Sequence, residues 1–216
     1  MDSFLKQIKK EAKKFFTKVK GSHGWDHTER VYALCLRIGR KEKANLEVLK
    51  LAAFLHDIGR EEETKSKGKI CHAERGALLA RRILEKYNLD TGLIEQVIHC
   101  IDTHRFRGSK IPQSKEAKIL FDADKLDSIG AVGIGRDFLF AGEVGAKLYN
   151  RNFNVSNSLP YTKEDTAYRE YMVKLRKIKS RIFTAEGKII AKERHRFMVD
   201  FFNRLNIVVR FLPLLS

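Results

Sequence analysis

The sequence predicts an all-α fold. Only three prolines occur among the 216 residues, and apolar residues recur at helical spacing along most of the chain. One β-branched run, residues 206–211 (NIVVRF), is typical of a strand, but it is short and has no matching run to pair with. We therefore expect about eight helices, with a C-terminal helical extension, in a single domain over 1–216.

The first half of the chain divides into helices separated by glycines and polar residues. The charged segment 60–70 (REEETKSKGKI) is interpreted as a surface loop. Gly59 fits the end of the third helix as a C-cap, since glycine accepts a positive φ. Apolar periodicity predicts helices over 3–19, 26–40, 46–57, 72–87 and 91–104.

The second half contains fewer regular patterns. Ser114 precedes a helix that runs to Gly130. The glycine-rich segment 130–136 (GAVGIGR) is interpreted as a hinge that leads into a short helix. The polar segment 150–160 is interpreted as a mobile excursion of the chain between helices. The C-terminal helices, within 160–210, are expected near 163–182 and 187–205.

Charge and composition narrow the possible partners. The net charge of +16 favours polyanions, so nucleic acid is a possible partner as well as a small phosphorylated molecule. No apolar run reaches the roughly 20 residues that a membrane helix needs. The lysine-rich N-terminal helix lacks the apolar core of a signal peptide. We expect a cytoplasmic protein that does not associate with membranes.

Several polar side chains occupy positions next to apolar ones. His56 and Asp57 directly follow the apolar run 51–55, His27 lies early on the preceding helix, and Asp124 lies on a later apolar helix. Burying a carboxylate is costly unless it is paired or binds a metal. Neighbours on a helix point about 100° apart, so His56 and Asp57 can reach one ion only from a helix end. Imidazole and carboxylate together suit Mn, Fe, Zn, Co or Ni, with Mg possible.

These residues belong to motifs that resemble those of the HD superfamily of metal-dependent phosphohydrolases. From the N-terminus, the five motifs are SHGWDHTERV, AAFLHDIG, HAERGA, IDTH and DADKLDSIGAVGIGR, and together they extend over residues 22–136. The later TAEGKIIAKERHRFMVDFFNRL is similar to the C-terminal helices of stand-alone bacterial and archaeal members. The resemblance implies an HD-domain helical bundle and a divalent metal, with Mn or Mg favoured.

The resemblance also implies roles for individual residues. The expected metal ligands are His27, His56, Asp57 and Asp124. His72 and His104 match positions that bind a second metal or the substrate phosphate in some relatives. Asp122 and Asp127 are expected to support the site or to pair with arginines.

The proposed chemistry needs a proton acceptor and positive charge beside the transferring phosphoryl group. Asp57 is a candidate for the first role. Candidate cations are Lys125, Arg30, Arg60 and Arg136, all of which lie in or beside the motifs. The predicted function is hydrolysis of a phosphate ester or phosphoanhydride of a nucleotide or similar small metabolite. The alternatives are a nucleic-acid-binding protein and a nuclease.

Overall fold

The computed structural model describes residues 3–17, 21–66, 68–106, 110–149 and 155–211. Every regular element in these ranges is an α-helix or a 3₁₀-helix, which confirms the all-α prediction. None of the described helices is long and apolar enough to cross a membrane. The α-helices are α1 (Ser3–Lys13), α2 (Trp25–Lys41), α3 (Leu46–Leu55), α4 (Arg60–Lys65), α5 (His72–Glu85), α6 (Thr91–Thr103), α7 (Lys115–Asp127), α8 (Gly130–Glu143), α9 (Ala167–Val173) and α10 (Ala185–Phe211).

The chain divides into two compact units. The first comprises Met1–Lys125 with Phe183–Gly187, and the second comprises Leu126–Ile182 with Lys188–Ser216. Helices α7 and α10 each contribute residues to both units. The expectation of a single domain over 1–216 stays a prediction.

In the first unit, α3 is the central helix. It contacts α1, α2 and α6, and all its residues from Leu51 to Leu55 are buried. This burial on all sides explains why its sequence is almost continuously apolar. The Asn45 side chain caps the helix by accepting hydrogen bonds from the Glu47 and Val48 backbone amides. The helix therefore begins at a defined cap, and its C-terminal half is buried up to His56 and Asp57.

In the second unit, aromatic packing surrounds Phe202 of α10. Its ring stacks on Tyr171 of α9 at a centroid distance of 4.3 Å and on Phe138 of α8 at 6.4 Å. The Thr166 side chain caps α9 by accepting a hydrogen bond from the Arg169 amide. These aromatic contacts supply the apolar core of this unit.

The segments predicted as a loop and a hinge contain helices. Residues 60–65 form α4, where Arg60 pairs with Glu63 and Lys65 pairs with Glu61 across one turn. Helix α8 begins at Gly130, so 130–136 is helical rather than a hinge. The reason for Gly133 is steric: a Cβ there would lie 2.3 Å from the Ser128 backbone.

Other boundaries also differ from the sequence patterns. The strand-like run 206–211 continues α10, because helical continuity overrides its β-branched composition. Helix α1 ends at Lys13 and is followed by a 3₁₀ turn at Lys14–Phe16, and the predicted helix residues 18–19 lie outside the described ranges. The predicted helix 163–182 divides into α9 and a 3₁₀ stretch at Leu175–Arg181. In the polar segment 150–160, residues 150–154 also lie outside the described ranges.

Candidate metal centre

The centre forms where α3 ends. His56 and Asp57 lie in the turn between α3 and α4, and both side chains are buried. Gly59 has a φ of −85°, so the positive φ expected of a C-cap was wrong. Its role is close packing, because a Cβ would lie 2.4 Å from the His72 carbonyl oxygen. The missing side chain thus allows the start of α5, with His72, to lie beside the His56–Asp57 turn.

Four predicted ligands meet in one cluster. The Nε2 atom of His27 lies 3.4 Å from Nε2 of His56 and 3.3 Å from Oδ1 of Asp124. The Oδ2 atom of Asp57 lies 3.7 Å from Nε2 of His27 and 3.8 Å from Nε2 of His56. The structure therefore brings together ligand atoms from α2, α7 and the turn after α3.

Asp57 also faces a second cluster through its other oxygen. Oδ1 lies 3.7 Å from Nε2 of His72 and 3.6 Å from Nε2 of His104. All three residues are buried, and their ligand atoms lie within 4.8 Å of one another. Asp57 is thus the shared member of two groups of potential metal ligands.

Backbone carbonyl groups orient two of the histidines. Nδ1 of His56 bonds to the carbonyl oxygen of Ala53, and Nδ1 of His104 bonds to that of Ile101. Because a carbonyl oxygen only accepts, each Nδ1 must carry a proton, and in the neutral form of either ring Nε2 then presents a lone pair. The Nε2 atom of His104 is buried and has no hydrogen-bond partner among the described residues. Such an orphaned acceptor is expected where a cation or a substrate donor binds.

The protonation states suit a cation. Burial lowers the pKa of His56 to about 4, although Asp57 opposes the shift, so the imidazole is neutral at neutral pH. Burial would raise the pKa values of Asp57 and Asp124, but nearby charges lower both well below the usual range. The opposing charges are chiefly Arg60 for Asp57 and Lys125 for Asp124. Neutral imidazoles and ionised carboxylates are the forms that bind metals.

The donor set fits a divalent metal. Asp57 and Asp124 bring two ionised carboxylates into one buried cluster with two imidazole nitrogens, and positive charge between these groups would offset the cost of burying them. Two nitrogen and two oxygen donors suit Mn, Fe, Co, Ni or Zn, and leave positions free in an octahedral shell.

Comparisons with known proteins agree with this site. The sequence profile of the HD domain matches residues 24–129. The YpgQ protein of Bacillus subtilis is 34% identical over 203 residues, which cover 92% of this chain and 90% of YpgQ. The chain belongs to the HD-domain family. HD domains bind divalent metals, so family membership and the His/Asp clusters together support a metal-dependent hydrolase.

Solved structures of HD-domain relatives share the fold over nearly the whole chain. The structure of B. subtilis YpgQ in complex with ADP has a TM-score of 0.73 and 29% identity, covering 95% of this chain and 97% of that one. A Lactobacillus plantarum protein has a TM-score of 0.76 and 27% identity, with coverage of 97% and 98%. A predicted HD superfamily hydrolase from an uncultured Thermotogales bacterium has a TM-score of 0.65 and 27% identity, covering 94% and 91%.

The candidate cations of this HD domain differ in their surroundings. Lys125 is buried, forms an ion pair with Asp124 and lies over the Phe121 ring. Arg60 donates from Nη2 to Oδ1 of Asp57 at 2.8 Å. Both therefore lie within the cluster of ligands.

Two further predicted cations form ion pairs with acidic residues that are not among the four predicted metal ligands. Arg30 pairs with Asp26 at 2.6 Å on the exposed side of α2. Arg136 lies in the second unit and pairs with the buried Asp127 at 2.8 Å, which agrees with the expectation that Asp127 pairs with an arginine. Phosphate binding by Arg30 and Arg136 stays a prediction.

Two acidic residues have roles that the sequence did not reveal. Asp122 accepts hydrogen bonds from the backbone amides of Phe183 and Thr184 and from the Thr184 hydroxyl, so it anchors the segment before α10. Glu63 is buried and accepts hydrogen bonds from Arg60 and His72. Burial alone would raise the pKa of Glu63, but His72, Arg60 and Arg105 together lower it to about 2.

Proposed function

We propose that the protein is a phosphohydrolase in which His27, His56, Asp57 and Asp124 hold a divalent ion. The substrate is a phosphate ester or phosphoanhydride of a nucleotide or a similar small metabolite. The observation that carries this proposal is the convergence of the four buried side chains, since ligand atoms of His56, Asp57 and Asp124 lie 3.3 to 3.7 Å from Nε2 of His27. Mn²⁺ is favoured over Mg²⁺, because two of the donors are imidazole nitrogens.

The nucleotide part of the proposal is supported by the relative YpgQ, whose structure was solved in complex with ADP. YpgQ is similar to this chain over nearly its whole length, and its sequence identity is 34%. The net charge of +16 also favours an anionic substrate, since a positive protein attracts phosphates over several ångströms. A nucleoside mono-, di- or triphosphate satisfies both observations.

The residues around the cluster have distinct proposed tasks. A divalent ion supplies positive charge for the transferring phosphoryl group and makes a bound water more acidic. Asp57 accepts a proton from the attacking water. Lys125 adds positive charge beside Asp124, and Arg60 adds it beside Asp57. In a buried site, such charges act more strongly than in water.

His72 and His104 are proposed to face the substrate phosphate or a second ion. Both rings are buried, and their Nε2 atoms lie 3.7 and 3.6 Å from Oδ1 of Asp57. The orphaned Nε2 atom of His104 supports such a role, because a buried acceptor without a donor is costly in a finished site.

A hydrolysis assay tests the proposal. Purified protein is incubated with nucleoside mono-, di- and triphosphates, with Mn²⁺ or with EDTA, and release of phosphate and pyrophosphate is measured. We expect metal-dependent release that disappears in Asp57→Ala and persists in Asp102→Ala, whose carboxylate lies on the surface of α6 and pairs with Lys110. Absence of release with every nucleotide, from protein that binds Mn²⁺, would reject this substrate class.

A nuclease is the second candidate, and exposed cations in the second unit favour it. Arg176, Lys177 and Lys179 are exposed on the 3₁₀ stretch Leu175–Arg181, and Lys188 and Lys192 are exposed on α10. None of these five forms an ion pair with another residue in the described part of the chain. Salt dependence separates the candidates: an affinity that falls steeply with salt indicates many phosphate contacts, and a small substrate gives a shallow dependence.

A further inference from the structure

We infer that Glu63 is a positioning residue, which holds His72 and Arg60 in the orientations that they need beside Asp57. This inference rests on the proposed function, because it assigns Glu63 to the same site. Among the described residues, Glu63 forms no hydrogen bond or ion pair with any of the four predicted metal ligands, Asp57 included. Its effect is transmitted through the two residues that it binds.

Glu63 differs from the two glutamates that precede it. Glu61 pairs with Lys65 at 2.7 Å, and Glu62 pairs with Arg75 at 2.7 Å, both at partly exposed positions. Glu63 is only 7% exposed, although it belongs to the same six-residue helix. A buried carboxylate is tolerated only where several donors satisfy it. The identity of those donors therefore indicates what Glu63 does.

One oxygen of Glu63 accepts from both partners. Oε2 lies 2.8 Å from Nη1 of Arg60 and 2.9 Å from Nδ1 of His72. Nη1 and Nδ1 are also 3.1 Å apart, so Nη1 would donate to Nδ1 in the His72 tautomer that has no proton there. The other oxygen, Oε1, lies 3.4 Å from Nη2 of Arg105, which holds the carboxylate from its outer side.

This geometry favours one tautomer of His72. If Nε2 carried the proton, it would face Oδ1 of Asp57 at 3.7 Å, which is beyond hydrogen-bond range. The Nδ1 lone pair would then accept from Nη1 of Arg60 at 3.1 Å, but it would also face the Glu63 carboxylate at 2.9 Å, which repels it and loses a donor. With the proton on Nδ1, the carboxylate is satisfied, and the Nε2 lone pair is directed toward Asp57.

Glu63 also divides the charge of Arg60. The guanidinium group donates to Oδ1 of Asp57 through Nη2 and to Glu63 through Nη1, each at 2.8 Å. Without Glu63, the whole positive charge of Arg60 would be compensated by Asp57. Asp57 would then be a weaker ligand for a cation. Glu63 therefore keeps Asp57 available while Arg60 holds it in place.

The first measurement is made on the metal-free wild-type protein. Proton–nitrogen correlation spectra of the imidazole rings, with the His72 signals assigned from His72→Gln, report which nitrogen carries the proton. We expect the Nδ1–H tautomer. A proton on Nε2 would overturn the inference before any variant is made, and this readout does not depend on enzymatic activity.

Two variants then test the consequence of losing the carboxylate. Glu63→Ala removes both acceptor oxygens, and Glu63→Gln keeps the shape but leaves one oxygen for two donors. In Glu63→Ala we expect both tautomers of His72 to be populated. We also expect the Mn²⁺ affinity, measured by calorimetry, to be weaker by roughly 10–100-fold, as is typical when the partner of a ligand is removed. Glu63→Gln is expected to lie between Glu63→Ala and wild type. Glu61→Gln, on the same helix, is the control and should behave as wild type.

Kinetic measurements on wild type and Glu63→Ala distinguish a failure of this inference from a failure of the proposed function. If nucleotide hydrolysis is found, kcat should fall in Glu63→Ala more than KM rises, because substrate still binds but the site is misaligned. If wild type hydrolyses nothing, the proposed function fails, and the tautomer and Mn²⁺ affinity still decide the role of Glu63. An unchanged tautomer and unchanged affinity in a folded Glu63→Ala, or in Glu63→Gln if Glu63→Ala does not fold, would overturn the inference.

Discussion

Gly59 and Gly76 lie in backbone contact between the turn after α3 and helix α5. A Cβ on Gly59 would lie 2.7 Å from the Gly76 nitrogen and 2.4 Å from the carbonyl oxygen of His72. Both neighbouring atoms belong to the backbone, which cannot rotate away as a side chain can. The contact therefore fixes the distance between the turn that carries Asp57 and the helix that carries His72.

Gly59→Ala is expected to lower the free energy of unfolding by about 1–3 kcal/mol, because α5 must move away from the turn. Urea denaturation followed by circular dichroism measures this change. Gly135→Ala is the matched control: its Cβ meets no atom within 4 Å, and alanine in a helix interior gains roughly 0.5–1 kcal/mol over glycine. Equal stability of Gly59→Ala and wild type would contradict the packing role of Gly59.

The proposed metal ligands attract attention in the sequence because they break a local pattern. His56 and Asp57 follow an apolar helix, and Asp124 lies among buried residues of α7, so each is conspicuous in the sequence. Glu63 gives no such signal, since it is the third of three consecutive glutamates in a charged segment. Burial beside His72 of α5 distinguishes Glu63 from Glu61 and Glu62, and this burial depends on a tertiary contact.

The errors of sequence interpretation have the same physical origin. Glycines at 130, 133 and 135 suggested a hinge by their low helix propensity, but Gly133 is required by the contact with Ser128 inside a continuous α8. The last helix was expected to end near residue 205, before the β-branched run 206–211, yet α10 continues through that run. In both segments, packing and helix continuity outweigh local preferences of a fraction of a kcal/mol per residue.

Ion binding is expected to stabilise the folded chain. A ligand that binds only the folded state, at a concentration of about 100 times its Kd, adds about 2.7 kcal/mol to the free energy of unfolding. We expect Mn²⁺ to raise the midpoint of thermal unfolding of wild type, and EDTA to reverse the rise. His56→Ala should lose most of this response, because one imidazole donor of the cluster is missing.

The control for this experiment is His99→Ala, whose ring lies on α6 and accepts a hydrogen bond from the Gln113 amide outside both clusters. Its response to Mn²⁺ should equal that of wild type. A Mn²⁺ response of His56→Ala as large as that of wild type would exclude the first cluster as the principal binding site.

Asp122 is expected to contribute strongly to stability rather than to chemistry. It is fully buried, and its two oxygens accept from Phe183 and Thr184 at 2.6 to 2.9 Å. Asp122→Ala leaves two backbone amides without their acceptor, so we expect a loss of about 3 kcal/mol or more, measured by urea denaturation. Thr184→Ser keeps the hydroxyl and should cost much less. A loss below about 1 kcal/mol in Asp122→Ala would contradict the anchoring role.

Asp137 is expected to make stability depend on pH. Its side chain is buried in the second unit, and Oδ2 has no hydrogen-bond partner within the described residues. Burial, together with Glu170 and Asp165, raises its pKa well above the usual range, and Lys174 opposes the shift only in part. The folded chain therefore retains a proton that the unfolded chain releases above about pH 3.9.

The contribution of Asp137 to the free energy of unfolding should consequently fall as pH rises from about 3.9 through its raised pKa, since at this side chain the folded state binds more protons than the unfolded state. Asp137→Asn has no such proton to lose, so its advantage over wild type should be small in acid and grow toward neutral pH. Urea denaturation of both proteins over this range measures the difference. Asp200→Asn, at an exposed position on α10, should leave the pH profile of wild type unchanged. A constant difference between Asp137→Asn and wild type at all pH values would show that Asp137 ionises in the folded protein as it does in the unfolded chain.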